Sequence, residues 1–175
     1  MKRVRIERGL DPPRHSGCLN AAMSTKQAIR AIVVRRFHAS AERVFDAWLS
    51  REMLGRWMFG PDVRDEEIVH LSLTPRVGGS FSFLVDRAGE QIEHLGKYLE
   101  LRRPERLVFT WMVADESVGS RVVVEIAAGQ TGCELTLTHE LHPAWAEYVG
   151  RTEESWGHML GALAVALDSS AEASP

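Results

Sequence analysis

Cys133-Glu134-Leu135-Thr136-Leu137-Thr138-His139-Glu140 alternates without a break, and the apolar segment that follows it runs to Leu167. Cys133, Leu135, Leu137 and His139 fall on one side of an extended chain. Glu134, Thr136, Thr138 and Glu140 fall on the other, the pattern of a sheet that is wet on one face and covered on the other. Pro143 suits the first turn of a helix. Beyond it Trp145, Tyr148, Val149, Thr152, Trp156, Met159, Leu160, Leu163 and Leu167 form one stripe, with Glu147, Arg151, Glu154 and His158 opposite. A helix from Ala144 to Leu167 is about 36 Å long, enough to cross a whole sheet.

Upstream, residues 29–37 are rich in β-branched side chains and predict a strand. Ser40 is placed as an N-cap, and Val44, Phe45, Trp48 and Leu49 recur at helical spacing, giving a helix that ends near Ser50. A second short helix spans Glu52 to Trp57 and closes at Phe59-Gly60-Pro61. Five further strands follow at 66–73, 80–86, 91–101, 106–114 and 120–127, before the last at 133–140. They are punctuated by Gly78-Gly79, Ala88-Gly89, Arg103-Pro104-Glu105, Gly119 and the Gly129–Gly132 hairpin. Phe81, Phe83 and Val85 share one face, as do Leu107, Phe109, Trp111 and Val113. The order is strand, two short helices, six strands and one long helix. An antiparallel meander of that length must curl, and curled around one long helix it is an α+β helix-grip fold with space left between trough and rod.

Composition bounds the rest. The chain has 175 residues, 45% hydrophobic and 26% charged, which suits one globular domain and excludes disordered and coiled-coil classes. The net charge of −3 gives no pull toward nucleic acid, and no apolar run is long enough to span a membrane. Residues 1–25 are expected to be a poorly ordered basic extension to a single domain over 26–170. Lys2, Arg3, Arg5, Arg8 and Arg14 stand there against Glu7 and Asp11, and Met23 is a candidate second start. Cys18 and Cys133 have no ligand or redox spacing, so two free thiols in a cytoplasmic protein are expected.

Several stretches resemble a known family. Phe37-His38-Ala39-Ser40-Ala41-Glu42-Arg43-Val44-Phe45-Asp46-Ala47-Trp48 resembles the opening of the START-like (SRPBCC) superfamily, which includes birch-pollen-allergen-like proteins and polyketide cyclases. Arg56-Trp57-Met58-Phe59-Gly60-Pro61, Val77-Gly78-Gly79-Ser80-Phe81-Ser82-Phe83, Gly96-Lys97-Tyr98-Leu99-Glu100 and Pro104-Glu105-Arg106-Leu107-Val108-Phe109-Thr110-Trp111 narrow it to the family named for the activator of the heat-shock-protein-90 ATPase. Where that family commonly has Gly-Trp, this chain has Ser155-Trp156. The resemblance spans about residues 31–168. It implies the helix-grip fold and often a hydrophobic cavity, without a fixed catalytic set. The eukaryotic co-chaperone carries a separate domain that contributes to ATPase stimulation, so the likeness implies the fold rather than that activity.

The expected function is binding of a small apolar or aromatic ligand between sheet and helix, with Trp57, Phe81, Phe83, His94, Tyr98, Phe109, Trp111, Trp145, Trp156 and Met159 as its lining. Five tryptophans among 175 residues favour a pocket of flat walls with a few oriented polar atoms. His94 and Tyr98 share strand parity and are expected to pair; His70 and His139 are further polar contacts to the cavity. No cofactor and no metal are expected. His139-Glu140-Leu141-His142 lacks zincin spacing, Gly78-Gly79 lacks the residues of a phosphate loop, and Ser80 and Ser82 lack a nucleophile elbow. Glu66, Glu67, Glu90, Glu93 and Glu100 are assigned to wet faces. Arg102, Arg103 and Arg106 are assigned to a solvated loop. Two other readings stay open. One is a protein-interaction module with a chaperone contact, using an exposed apolar patch over a filled interior. The other is a cyclase-like enzyme using a cavity His or carboxylate.

Overall fold

The computed structural model describes residues 29–172, apart from 62 and 115–117. The expected extension at 1–25, Cys18 and Met23 therefore lie outside the described residues. Strand β1 (Ile29–Phe37) leads into helices α1 (Ala41–Ala47) and α2 (Arg51–Trp57). Six strands then follow, β2 (Glu67–Leu73), β3 (Ser80–Arg87), β4 (Glu90–Arg102), β5 (Arg106–Val113), β6 (Ser120–Gly129) and β7 (Gly132–Leu141). The chain finishes with a 3-10 segment, Pro143–Tyr148, and helix α3 (Val149–Glu172). All seven strands form one antiparallel sheet in the order β1-β7-β6-β5-β4-β3-β2. This is the predicted α+β helix-grip arrangement. No helix of the described residues is long and apolar enough to cross a membrane.

The first short helix begins at its expected cap, Ser40; the second takes as its cap Ser50, the residue near which the first was expected to end. The Ser40 and Ser50 side chains accept from the backbone N–H groups of Arg43 and Met53. Ala88 and Gly89 both have positive φ in the two-residue turn between β3 and β4, the geometry that matches strand twist in a tight hairpin.

Register places the apolar residues in rows across the concave face. Tyr98, Phe109, Val122, His139 and Ala31 lie side by side on five adjacent strands. A second row is Leu101, Leu107, Val124, Leu137 and Val33. Against these rows α3 lays Trp156, Met159, Leu160, Leu163 and Leu167, all buried. Two contacts fasten the ends. The Arg43 guanidinium of α1 donates to the Leu167 carbonyl at 2.8 Å, and Glu153 of α3 accepts the edge-strand N–H of Ile32 at 3.0 Å.

The long helix starts later than predicted. Residues 143–148 are 3-10, and Trp145 has non-helical φ/ψ of −104° and 25°. Tyr148 is exposed, and the apolar stripe effectively begins at Trp156. The His142 side chain accepts the Ala144 N–H, so a local cap competes with α-helix from residue 143.

Candidate functional site

The concave face carries an aromatic cluster, and the strands explain its composition. Phe81 and Phe83 point inward from β3 and stack at 4.6 Å. Gly96 faces Phe81 across the β3–β4 ladder, and a Cβ there would collide with the Phe81 ring and the Thr110 carbonyl. Glycine thus lets an aromatic ring lie on bare backbone. Trp48, at the end of α1, meets Trp57 edge-on at 4.6 Å and lies 6.0 Å from both Phe109 and Trp156. The Trp57 indole N–H donates to the Ala47 carbonyl, while the Trp48 indole N–H is buried without a partner.

Of the ten residues expected to line a cavity, nine come together on this concave side. Trp57, Phe81, Phe83, His94, Tyr98, Phe109, Trp156 and Met159 are buried, and Trp111 is half-buried among them. Trp145 is set apart. It sits on the 3-10 segment, half-buried, with its ring 6.4 Å from His142. Trp48, Leu54, Met58 and Leu107 also line the central gap; Trp48 and Leu54 belong to the amphipathic helices and carry no signal that separates lining from core.

The gap itself is small. Its volume is about 10 Å³, the room of a single water, so the side chains of the cluster largely fill the space between trough and helix. The sizeable preformed void expected from the architecture is not there. The aromatic side chains of this region occupy it instead. A roomier depression of about 440 Å³ lies at the surface beside the β6–β7 hairpin, against Arg36–His38, and shares no lining residue with the central gap.

Two histidines differ sharply in their surroundings. His139 accepts the Trp156 indole N–H at Nδ1 (3.1 Å), and its Nε2 lies 2.7 Å from the Ser120 hydroxyl. His94 is only 8% exposed, and neither of its ring nitrogens has a partner. It lies between Trp111 (ring centroids 5.0 Å) and Phe59 (5.4 Å), facing Phe83 across the ladder. Both imidazoles have pKa values pulled down to about 4, chiefly because burial disfavours the charged form. For His94 the nearby Arg87 and Arg64 push the same way and Glu66 pulls back. The expected His94–Tyr98 pair does not form. Four residues along a strand span about 13 Å, beyond hydrogen-bond reach even on a shared face. Burial raises the Tyr98 phenol pKa. His70 is exposed and takes no part.

Beside His94 lies a charged group that the sequence reading assigned differently. Glu66, expected on a wet face, has a fully buried side chain. One oxygen accepts from Arg87 at 2.7 and 3.2 Å, and the other accepts the Gly60 N–H at 3.2 Å. Arg87 continues the inward row of Phe81, Phe83 and Val85, one residue past the predicted strand end. Arg64, half-buried, donates to the Met159 sulfur at 3.1 Å and has no ion-pair partner among the described residues. Of the other carboxylates, Glu93 accepts from the Ser82 hydroxyl at 2.6 Å. Arg106, expected in a solvated loop, keeps only 22% of its side chain exposed and pairs with Glu100 and Glu125. Arg103 meets Asp46 in an exposed bidentate pair that holds the Asp46 carboxyl below its usual range. Among the described residues no group of three or more His, Cys, Asp and Glu is arranged to hold a metal ion.

Comparison with known proteins fits this geometry. The family model described as Activator of Hsp90 ATPase homolog 1-like protein matches residues 38–168. No curated protein matches the chain. A solved structure from Rhodobacter sphaeroides superposes with a TM-score of 0.71 at 20% identity, covering 80% of this chain and 92% of that one. A Nitrosomonas europaea protein gives 0.69 at 18% identity, with 81% and 95% covered. A protein from Aeromonas hydrophila, titled AHSA1-like, gives 0.67 at 16% identity, with 82% and 94% covered. At these identities the three share the fold with this chain.

Proposed function

From the premise that this chain belongs to the family of Activator of Hsp90 ATPase homolog 1-like proteins, we propose that it binds a small apolar or aromatic molecule between the curved sheet and α3. The observation that carries the reading is His94. Burying an imidazole with no partner for either nitrogen costs about 1–3 kcal/mol per unmet group, and folded proteins satisfy nearly all such atoms. The Trp48 indole N–H, on a residue that borders the gap, is a second unmet buried donor. A solid core selected only for stability has no use for either. A ligand that brings hydrogen-bonding atoms to them does.

Binding on this reading opens the cluster. The unbranched Met58 and Met159 side chains are the ones best able to yield. A molecule that buries about 300 Å² of apolar surface gains a gross ~7 kcal/mol, and association and reorganisation costs leave micromolar affinity. No cofactor is needed, and a neutral His94 acts as a hydrogen-bonding group rather than as a cation.

The nearly filled interior also supports a second reading, a protein-docking module. Ile32 and Val34 lie exposed on the convex side of β1, and a partner such as a chaperone would rest there.

A thermal-shift screen of steroids, fatty acids and bicyclic aromatics separates the two. A ligand at 100 times its dissociation constant adds about 2.7 kcal/mol of stability. The expected result is a saturable shift together with quenching of tryptophan fluorescence. Absence of both across the panel overturns ligand binding and leaves the docking reading.

A further inference from the structure

Resting on that ligand-binding reading, we infer that the ligand carries an anionic head group, a carboxylate or its equivalent, held by Arg64, Arg87 and His94 at one end of the aromatic cluster.

Charge is out of balance at this end of the cluster. Two guanidinium groups, Arg64 and Arg87, stand near one buried carboxylate, Glu66, and Glu66 is already committed. Arg87 takes one of its oxygens and the Gly60 N–H takes the other. Arg64 has five N–H donors, yet the one acceptor it meets among the described residues is the Met159 thioether, a weak one. The group therefore holds one uncompensated positive charge at the edge of an apolar space. Burial pulls the Arg64 pKa below its usual value, the mark of a cation taken from water without full repayment.

The second strand is His94. Its imidazole is more than nine-tenths buried, has both nitrogens free, and feels both arginines. A neutral imidazole always offers one N–H, and an anion is the partner that accepts from it and from two guanidinium groups at once. The third is position. Arg87 ends the inward row that runs through Val85, Phe83 and Phe81, and Arg64 touches Met159 on α3. A head group at this end leaves its apolar tail directed along Trp111, Phe83 and Phe81 toward the central gap. Recognition thus divides between a charged end, which orients, and a flat aromatic wall, which contributes buried area.

The test uses a matched pair on the full chain, 2-naphthoate and its neutral analogue 2-naphthylmethanol, titrated by calorimetry at pH 7.5. Naphthoate is expected to bind at least tenfold more tightly. Arg64→Gln should bring the two within threefold of each other by weakening naphthoate far more than the alcohol, and Arg64→Lys, which keeps the charge, should retain the preference. Glu66→Gln should tighten naphthoate several-fold, because it removes the competing carboxylate. Melting curves of each variant establish that it is folded. Equal affinity of the acid and the alcohol for the wild-type chain, or a preference that survives Arg64→Gln, overturns the anionic head group and leaves the apolar pocket standing. Failure of both probes to bind counts against the pocket itself, and the head-group site falls with it.

Discussion

The Trp156 indole on α3 donates its N–H to Nδ1 of His139 on β7, 3.1 Å away. An indole N–H only donates, so Nδ1 must be unprotonated and the proton of the neutral ring resides on Nε2. Nε2 then donates to the Ser120 hydroxyl at 2.7 Å, and that hydroxyl donates to the Trp111 carbonyl at 2.9 Å. Four elements are tied in one directional chain. Nitrogen NMR of His139 is expected to show the Nε2–H tautomer, and His139→Leu, which strands the Trp156 N–H, to cost about 2 kcal/mol in urea unfolding. A variant as stable as the wild type would show that the chain of bonds holds nothing together.

Acid should destabilise the fold through the two buried histidines. Each has a folded pKa of about 4 against an ordinary 6.5. Between those values the unfolded chain binds more protons than the folded one. Their contribution is complete above pH 6.5 and is lost as pH falls toward 4. Near pH 5 the loss is about 1 kcal/mol per histidine per pH unit. Urea midpoints measured from pH 7.5 to 4.5 check this, and a flat profile down to pH 5 contradicts it.

His94→Phe is expected to raise stability by about 1–2 kcal/mol, since an apolar ring of similar shape replaces an imidazole with no partners. The same change should weaken naphthoate binding at least tenfold. Stability gained together with binding lost is what distinguishes a site from a packing defect.

Glu66→Ala should be far more damaging. It leaves Arg87 and the Gly60 N–H without their buried acceptor, a loss of about 3–5 kcal/mol. Denaturant melts would reveal the difference from an exposed carboxylate such as Glu52, whose pairing with Arg56 within one helix should matter by less than 1 kcal/mol.

Gly96→Val places a side chain where the Phe81 ring and the Thr110 carbonyl already sit. The expected outcome is a loss of more than 3 kcal/mol, or no soluble protein. Expression and circular dichroism settle it.

Much of this architecture could be read from residue order alone, because period-two alternation in β3, β5 and β7 separates the faces and short turns leave a meander as the simple solution. The cap at Ser40 is local chemistry and equally visible, whereas Ser50, read only as the end of the first helix, turns out to cap the second. The start of α3 was less visible. Pro143 permits a helix, but the His142 side chain caps a 3-10 turn instead, and Trp145 leaves the site with it. The inward-facing aromatic residues could be named because inward parity is a backbone property. Whether inward side chains meet or leave a hollow depends on their summed volume, which no alternation pattern records. The charged end was missed for a plainer reason. The predicted β3 stopped at Asp86, one residue short of Arg87, and Glu66, expected to open a strand over 66–73, lies just before β2, so the alternation of that strand does not report which way it faces.

β1 pairs with β7 alone, and its first residue meets Leu141, more than a hundred positions downstream. Its free edge is covered by Glu153, farther along still. During synthesis β1, the first of these seven strands to leave the ribosome, is thus the last of them to acquire a neighbour. Until β7 has emerged, Ile32 and Val34 stand beside a row of unpaired amides, a template for association with other nascent chains. Closure of the sheet is the late, non-local step, and it should set the pace of folding.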